Sequence, residues 1–220
     1  MEKSFWIKNW EDNNTGFHNS EYNELLLKHF EKFDLGEDSH IFVPLCGKTR
    51  DLIWLAMQGH QVTGVECSPL AVAGFFKESN FSFDKTKEAK FNRFTCKNPP
   101  IDILEGDFFD VNRDALGRVN FLYDRASIVA LPPELRKKYT KVITDILTPG
   151  DQMLLLTLEY DSPEVLGPPF PVTEKDVRSY YENNFSIELL EEIAKDVDHP
   201  RFIEAGITRW SHKVYKLVRV

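Results

Sequence analysis

Cysteine is scarce in this 220-residue sequence: Cys46, Cys67 and Cys96 are the only three, and no two stand in a Cys-x-x-Cys spacing. That count offers neither a disulfide framework nor a paired-thiolate zinc site, so free thiols in a reducing compartment are expected. Long hydrophobic runs are missing too. No stretch of about 18 apolar residues is available to span a bilayer, and the opening residues MEKSFWIKNWEDNN are too polar for a signal peptide. The expectation is a cytoplasmic protein with no membrane partner. Positive charge is in deficit, with 27 Lys and Arg against 35 Asp and Glu and a formal net charge of −8. Nucleic acid backbones need a broad positive field, so they are not expected as partners. No His-Glu-x-x-His or clustered carboxylate signature points to a metal, and the six histidines are scattered with no Ser-His-Asp or Cys-His arrangement. No catalytic residue is assigned on that basis. His18 is the histidine to test as a proton acceptor, against a structural or surface role.

Glycine is equally sparing where nucleotide fingerprints would need it. The stretch VPLCGKTRDL (43–52) contains Gly-Lys-Thr after an apolar run, yet the position five before Gly47 is Phe42, inside that run. A Walker loop is therefore excluded, because its backbone N–H groups must wrap the phosphates from Gly-x-x-x-x-Gly-Lys-Ser/Thr. Gly47 is also the only glycine between Gly36 and Gly59, which rules out Gly-x-Gly-x-x-Gly.

What is present is an alternation of strand-like and helix-like segments. With 42% hydrophobic and 28% charged residues, the chain reads as one globular domain over 1–220. IFVPL (41–45) and HQVTGVE (60–66) read as buried strands, followed by helices over 51–59 and from Pro69, the latter with Ser68 as N-cap. Further strands are expected at 101–109, 119–124 and 152–160, with an amphipathic helix over 132–147. After a helical stretch at 177–185, strands at 186–193 and 212–220 complete the set. A helix is expected over 24–33, an aromatic, Asn-rich arm before it, and a polar excursion over 84–100. Five βα-type strands and a terminal pair predict a Rossmann-like, doubly wound α/β fold, a seven-stranded, mostly parallel sheet with an antiparallel edge strand.

Glu66 stands 21 positions after Leu45, at the end of the second strand. That is about the spacing at which an acid binds both ribose hydroxyls of an adenosyl ligand, although a solvated strand-end carboxylate has the same spacing. A ligand with ribose but no phosphate, such as S-adenosylmethionine, suits the corner. Asp107 either accepts from the adenine amino group or caps a turn.

FWIKNW with GFH, VPLCGKTRDLIWLAMQGHQVTGVECS, YDRASIVALPPELRKKY, TLEYD and GPPFPV resemble the thiopurine S-methyltransferases, especially the bacterial ones, nearly from end to end. The resemblance implies a class I methyltransferase fold, S-adenosylmethionine as cofactor and S-adenosylhomocysteine as its product. It also implies methyl transfer to the sulfur of thiopurines or other aromatic thiols, and some bacterial relatives are associated with selenium or tellurium acceptors. Carried over by position, Trp6, Trp10, Leu45, Glu66, Asp107, Phe108 and Arg125 fall at cofactor positions, and Phe17, Arg125 and Arg201 at substrate positions. Residues 1–20 would be an arm covering the site, and a monomer is expected. The alternatives are a chalcogen-detoxifying methyltransferase and a binding protein that keeps the fold without turnover.

Methyl transfer needs nucleophile, methyl carbon and leaving sulfur nearly in line, so positioning carries much of the work. An acidic heterocyclic thiol arrives ionised, and no general base is then required. Arg125 follows the strand FLYD and either faces the ligand crevice or pairs with Asp124 or another acid. Trp6 and Trp10 share a face if the arm is helical, as a lid or as core. GPPFPV (167–172) is too proline-rich for a helix and is expected as a rigid loop shaping the acceptor pocket, or as a structural turn.

Overall fold

Short apolar runs that end in a tight corner and a capped helix recur along the first half of the chain, and each becomes a βα unit. The computed structural model describes residues 3–161, 167–197 and 199–220. The chain forms two compact units, Met1–Tyr123 and Asp124–Val220.

The first unit opens with helix α1 (Lys3–Glu11) and helix α2 (Glu24–His29), which a single 3-10 turn extends to Lys32. Asn23 caps α2, its side chain accepting from the N–H groups of Leu25 and Leu26. Strand β1 (His40–Val43), helix α3 (Asp51–Met57), strand β2 (Gln61–Glu66) and helix α4 (Pro69–Ser79) follow. Ser68 Oγ accepts from Ala71 N–H with Pro69 at the first helical position, as the sequence suggests, and Asn80 ends α4 in the left-handed region.

Strands β3 (Asp84–Lys87) and β4 (Asn92–Cys96) come next, then β5 (Ile101–Glu105), a 3-10 turn over Phe108–Asp110, helix α5 (Arg113–Leu116) and β6 (Phe121–Asp124). The order across this unit is β3-β4-β5-β2-β1-β6. Strand β1 runs parallel to β2 and β6, and β2 runs parallel to β5, whereas β4 is antiparallel to both β3 and β5.

The β3–β4 hairpin corrects the expected polar excursion at 84–100 and raises the strand number from seven to nine. All four residues of β3 are exposed, so no alternation marks it in sequence. It forms because β4 turns Phe94 and Cys96 inward, where the Phe94 ring meets Phe76 and Phe83.

The second unit begins at Asp124 and contains a buried 3-10 turn at Ile128–Ala130, helix α6 (Pro133–Ile146), strand β7 (Gln152–Glu159), helix α7 (Glu174–Tyr181), strand β8 (Phe185–Asp196), helix α8 (Pro200–Glu204) and strand β9 (Arg209–Arg219). Helix α7 starts three residues before the expected 177 and stops before 185. A capping box between Thr173 and Asp176 sets its start, and Phe185 is already the first residue of β8. The strand order is β7-β9-β8, with β9 antiparallel to both neighbours. The last strand is thus inserted between the two before it, and β8 is the edge. No helix among the described residues is long and apolar enough to cross a membrane.

Candidate functional site at the strand ends

The corner after β1 is held by contacts with β2 that only a small residue permits. Cys46 N–H donates to the carbonyl of Val65 at 2.9 Å, and a Cβ placed on Gly64 would come within 2.6 Å of Cys46 Sγ. Gly64 therefore lets the loop lie flat on the neighbouring strand. Leu45 and Gly47 both take positive φ, 45° and 54°. A branched side chain in that region carries strain of about 1–3 kcal/mol, which persists only where the surroundings impose it. Gly47 also admits the edge of Trp10, which would stand 3.1 Å from a Cβ there.

Glu66 is not a solvated carboxylate: it is 6% exposed. Gly47 N–H donates to its Oε2 at 2.9 Å and Ser68 N–H to its Oε1 at 2.6 Å. One side chain thereby ties the loop after β1 to the start of α4. Burial pushes its pKa up, while donors at Ser68, Cys67 and Gly47 pull it back down. A carboxylate has about four lone-pair directions, and besides Gly47 and Ser68 the Cys67 thiol and N–H stand near enough to donate to it. Two acceptors fixed side by side match a pair of adjacent hydroxyls. Burial and the Glu66 charge push both flanking thiols, Cys46 and Cys67, upward, which disfavours their thiolate forms.

Beside Glu66, across the Glu66–Glu105 register of β2 and β5, the chain turns at Asp107. Its Oδ1 accepts from Phe109 N–H at 2.9 Å and caps the 3-10 turn. The capping reading of Asp107 is thus realised, and its second oxygen has no partner among the described residues. Phe108 is 3% exposed and stacks on Phe42 at 6.5 Å, behind the strand ends. Sequence reasoning passed over the half-buried Phe109, whose aromatic pair with Phe108 was its only signal.

The arm is helical, and Trp6 and Trp10 do share a face. Phe17 sits edge-on to both, with ring centroids at 5.5 and 5.4 Å. None of the three is fully buried, so the cluster is not core. Helix α1 packs on α4, and His18 lies 6.3 Å from the Trp10 ring. Lys48, which a phosphate loop would turn toward its ligand, bonds instead to Glu78 at 2.6 Å and lies 5.9 Å from the Trp10 ring.

In the second unit Arg125 follows Asp124 directly, and Ala126 has φ 58°. Asp124 is fully buried, and its oxygens accept from Tyr139 Oη at 2.7 Å and Ile128 N–H at 3.2 Å. The GPPFPV segment is a loop, as expected. Phe170 N–H donates to Val129 O at 2.7 Å, Val172 N–H to Leu158 O at 2.8 Å and Tyr160 Oη to Pro169 O at 2.7 Å. Arg201, from α8, donates to Gly167 O at 3.0 Å. The structure thus brings Arg201 and the proline loop together. Burial raises Tyr160 to about 12, with the charges of Arg201 and Arg136 pulling the other way.

The profile of the family described as Thiopurine S-methyltransferase (TPMT) matches residues 1–220. A curated protein of Nitrosospira multiformis named thiopurine S-methyltransferase is 40% identical over 218 residues, covering 99% of this chain and 98% of its own. One of the same name from Xanthomonas axonopodis pv. citri is 41% identical over 221 residues, with 100% of both chains covered. Among solved structures, a Burkholderia thailandensis 1,6-didemethyltoxoflavin-N1-methyltransferase with bound S-adenosylhomocysteine is similar at TM-score 0.60 and 14% identity, covering 98% of this chain and 87% of that one. The shared feature at that identity is the α/β methyltransferase fold.

Proposed function

Since the chain belongs to the thiopurine S-methyltransferase family, and is by that membership an S-adenosylmethionine-dependent methyltransferase, we propose that it methylates the sulfur of thiopurines or other small aromatic thiols. The observation that carries this reading is Glu66. Its two oxygens are pre-oriented by backbone donors at the strand end, where they would accept from the vicinal hydroxyls of an adenosyl ribose. The residues of the first unit fit such a ligand. When bound, S-adenosylmethionine supplies an electrophilic methyl group on a cationic sulfur.

The chain's own work is binding, orientation and exclusion of water. The free oxygen of Asp107 would accept from an adenine amino group, and Phe108 would support that turn from behind. Leu45 and Gly47, held in the left-handed region, bring backbone close to the amino-acid portion. Trp6, Trp10 and Phe17 offer aromatic faces to a cation and close the first unit's loop from above, the role assigned to the arm. In the second unit, Arg125 and Arg201 are assigned to the acceptor. Guanidinium groups favour its thiolate form, which makes a dedicated base unnecessary. A cytoplasmic monomer is the accompanying proposal.

The test is transfer of an isotope-labelled methyl group from S-adenosylmethionine to 6-mercaptopurine, with Glu66→Ala alongside. Labelled product is expected from the wild type. At least a tenfold weaker cofactor affinity is expected from the variant, the equivalent of about 1.4 kcal/mol. Calorimetry that finds unchanged cofactor affinity in a folded variant removes Glu66 from the ribose role. Cofactor binding without any product removes the thiol acceptor.

A further inference from the structure

The Gly-Lys-Thr segment at the corner after β1 is not a phosphate loop, and its lysine has partners of another kind. Lys48 Nζ pairs with Glu78 Oε1 of α4 at 2.6 Å and stands 5.9 Å from the centre of the Trp10 ring in α1. Its stem lies along α4. A Cβ placed on Gly74 would come 3.4 Å from Lys48 Cδ and 3.8 Å from Glu78 Oε1. Gly74 and Glu78 are four residues apart and share one face of that helix. Glycine inside a helix is disfavoured relative to alanine, and here it leaves the lysine stem room to cross. The Lys48 side chain is 19% exposed, against 57% for Glu78.

Helix α1 needs such a tie. It has nine residues, none of them fully buried, and a helix of that length is not stable by itself. Its own ion pair, Lys8 with Asp12, is exposed and contributes little. What holds the helix is its packing on α4 and the seating of Trp10 against Gly47 and Lys48. Gly47 has two partners here. It admits the Trp10 edge, which would stand 3.1 Å from a Cβ there, and its N–H donates to Glu66 at 2.9 Å. The arm therefore rests on the loop that orients Glu66, and Lys48 joins that loop to both helices.

We infer that Lys48 is a positioning residue for methyl transfer: its ammonium group, anchored on Glu78, holds the Trp10 end of α1 down on the loop at Gly47 and keeps the arm closed before any ligand arrives. Attraction between an ammonium group and an aromatic ring strengthens when the cation is withdrawn from water, and the Lys48 side chain is largely withdrawn. The cofactor then meets an arm already in place. A ligand held fully by the closed state alone has an apparent dissociation constant equal to the intrinsic one divided by the closed fraction. Lys48 sets that fraction. The inference rests on the reading of α1 as a cover for the cofactor site, and it assigns Lys48 no contact with either reactant.

The first measurement is hydrogen exchange on the ligand-free chain. Lys48→Met keeps an unbranched stem and removes the charge. Amides of α1 should exchange roughly fivefold or more faster in it, while those of β1, β2 and α3 keep their wild-type rates. Glu78→Gln, which leaves the loop untouched, should shift the same amides the same way by roughly twofold or more, and Lys48→Arg should retain wild-type protection. The second measurement is stopped-flow dissociation of S-adenosylhomocysteine, which should quicken roughly fivefold in Lys48→Met with little change in association. In a Trp10→Leu background the same substitution should add nothing, because the lysine acts through that ring. Unchanged α1 exchange in both Lys48→Met and Glu78→Gln overturns the inference, as does a rise spread evenly over the first unit. Faster α1 exchange with unchanged dissociation overturns the positioning role and takes the arm away from the cofactor. The labelled-methyl assay with Glu66→Ala reads the acceptor and the ribose contact separately, since neither depends on exchange in α1.

Discussion

Two buried carboxylates at strand ends are held in different ways, and the difference is measurable. Glu66 has backbone donors on both oxygens. Asp124 has the Tyr139 hydroxyl and the Ile128 N–H, and burial nevertheless raises its pKa from 3.8 to about 6. An acid whose folded pKa is raised binds more protons folded than unfolded between the two values, so stability falls as pH rises through that window and levels off above it. About two units amount to roughly 3 kcal/mol. The expected outcome is that the unfolding free energy of wild type relative to Asp124→Asn declines by about that much between pH 4 and pH 7, measured by urea titration at several pH values. A flat difference would mean that Asp124 is not protonated in the native state at pH 4–5. Neither burial was legible in the sequence. YDRA and TGVE mark strand ends, but what lies over a strand end depends on loops distant in sequence.

At the scale of elements, the corner after β1 depends on the absence of a side chain in β2. Gly64→Ala places a methyl group 2.6 Å from Cys46 Sγ and 3.2 Å from its Cβ. Overpacking of this kind costs about 1–3 kcal/mol, and it moves the loop that carries Gly47 and hence the Glu66 donor. Gly64→Ala should lower both melting temperature and cofactor affinity, and adding Cys46→Ala should restore part of each. Absence of rescue would place the strain elsewhere.

Asp51 plays a comparable part for the start of α2, accepting from Asn23 N–H at 2.8 Å and from Tyr123 Oη at 3.1 Å while 1% exposed. Asp51→Ala should cost about 3 kcal/mol and loosen the segment before α2 in hydrogen exchange. The helix starts at Asp51 and Ser68 were readable because caps and turns are local chemistry. The hairpin β3–β4 was not, because DKTK has no apolar alternation and exists as a strand only through its neighbour. The start of α7 at Glu174 was readable in principle from the Thr173–Asp176 box, three residues earlier than periodicity alone placed it.

At the scale of the whole chain, the proposed monomer has a structural support in its exposed edge. Strand β8 is twelve residues long, among the described residues it pairs only with β9, and its other side is an open row of backbone donors and acceptors. Such an edge invites pairing with another copy. Glu188, Glu191 and Glu192 line it, and the register irregularity between Leu189 and Glu191 breaks its regular pairing there. Two copies meeting along β8 would bring like charges together on a chain already at −8. Lys213 offsets part of this, pairing with Glu159 at 2.9 Å and standing 3.9 Å from Glu192. Light scattering behind size exclusion should therefore give 25.6 kDa for the wild type. Glu188→Thr with Glu191→Thr and Glu192→Thr should shift the population toward larger species at low salt. Raising the ionic strength should favour association of the wild type for the same reason, because screening reduces repulsion beyond about 10 Å at 0.1 M. A wild-type dimer insensitive to salt would mean that the interface lies elsewhere and that the acidic edge has no part in it.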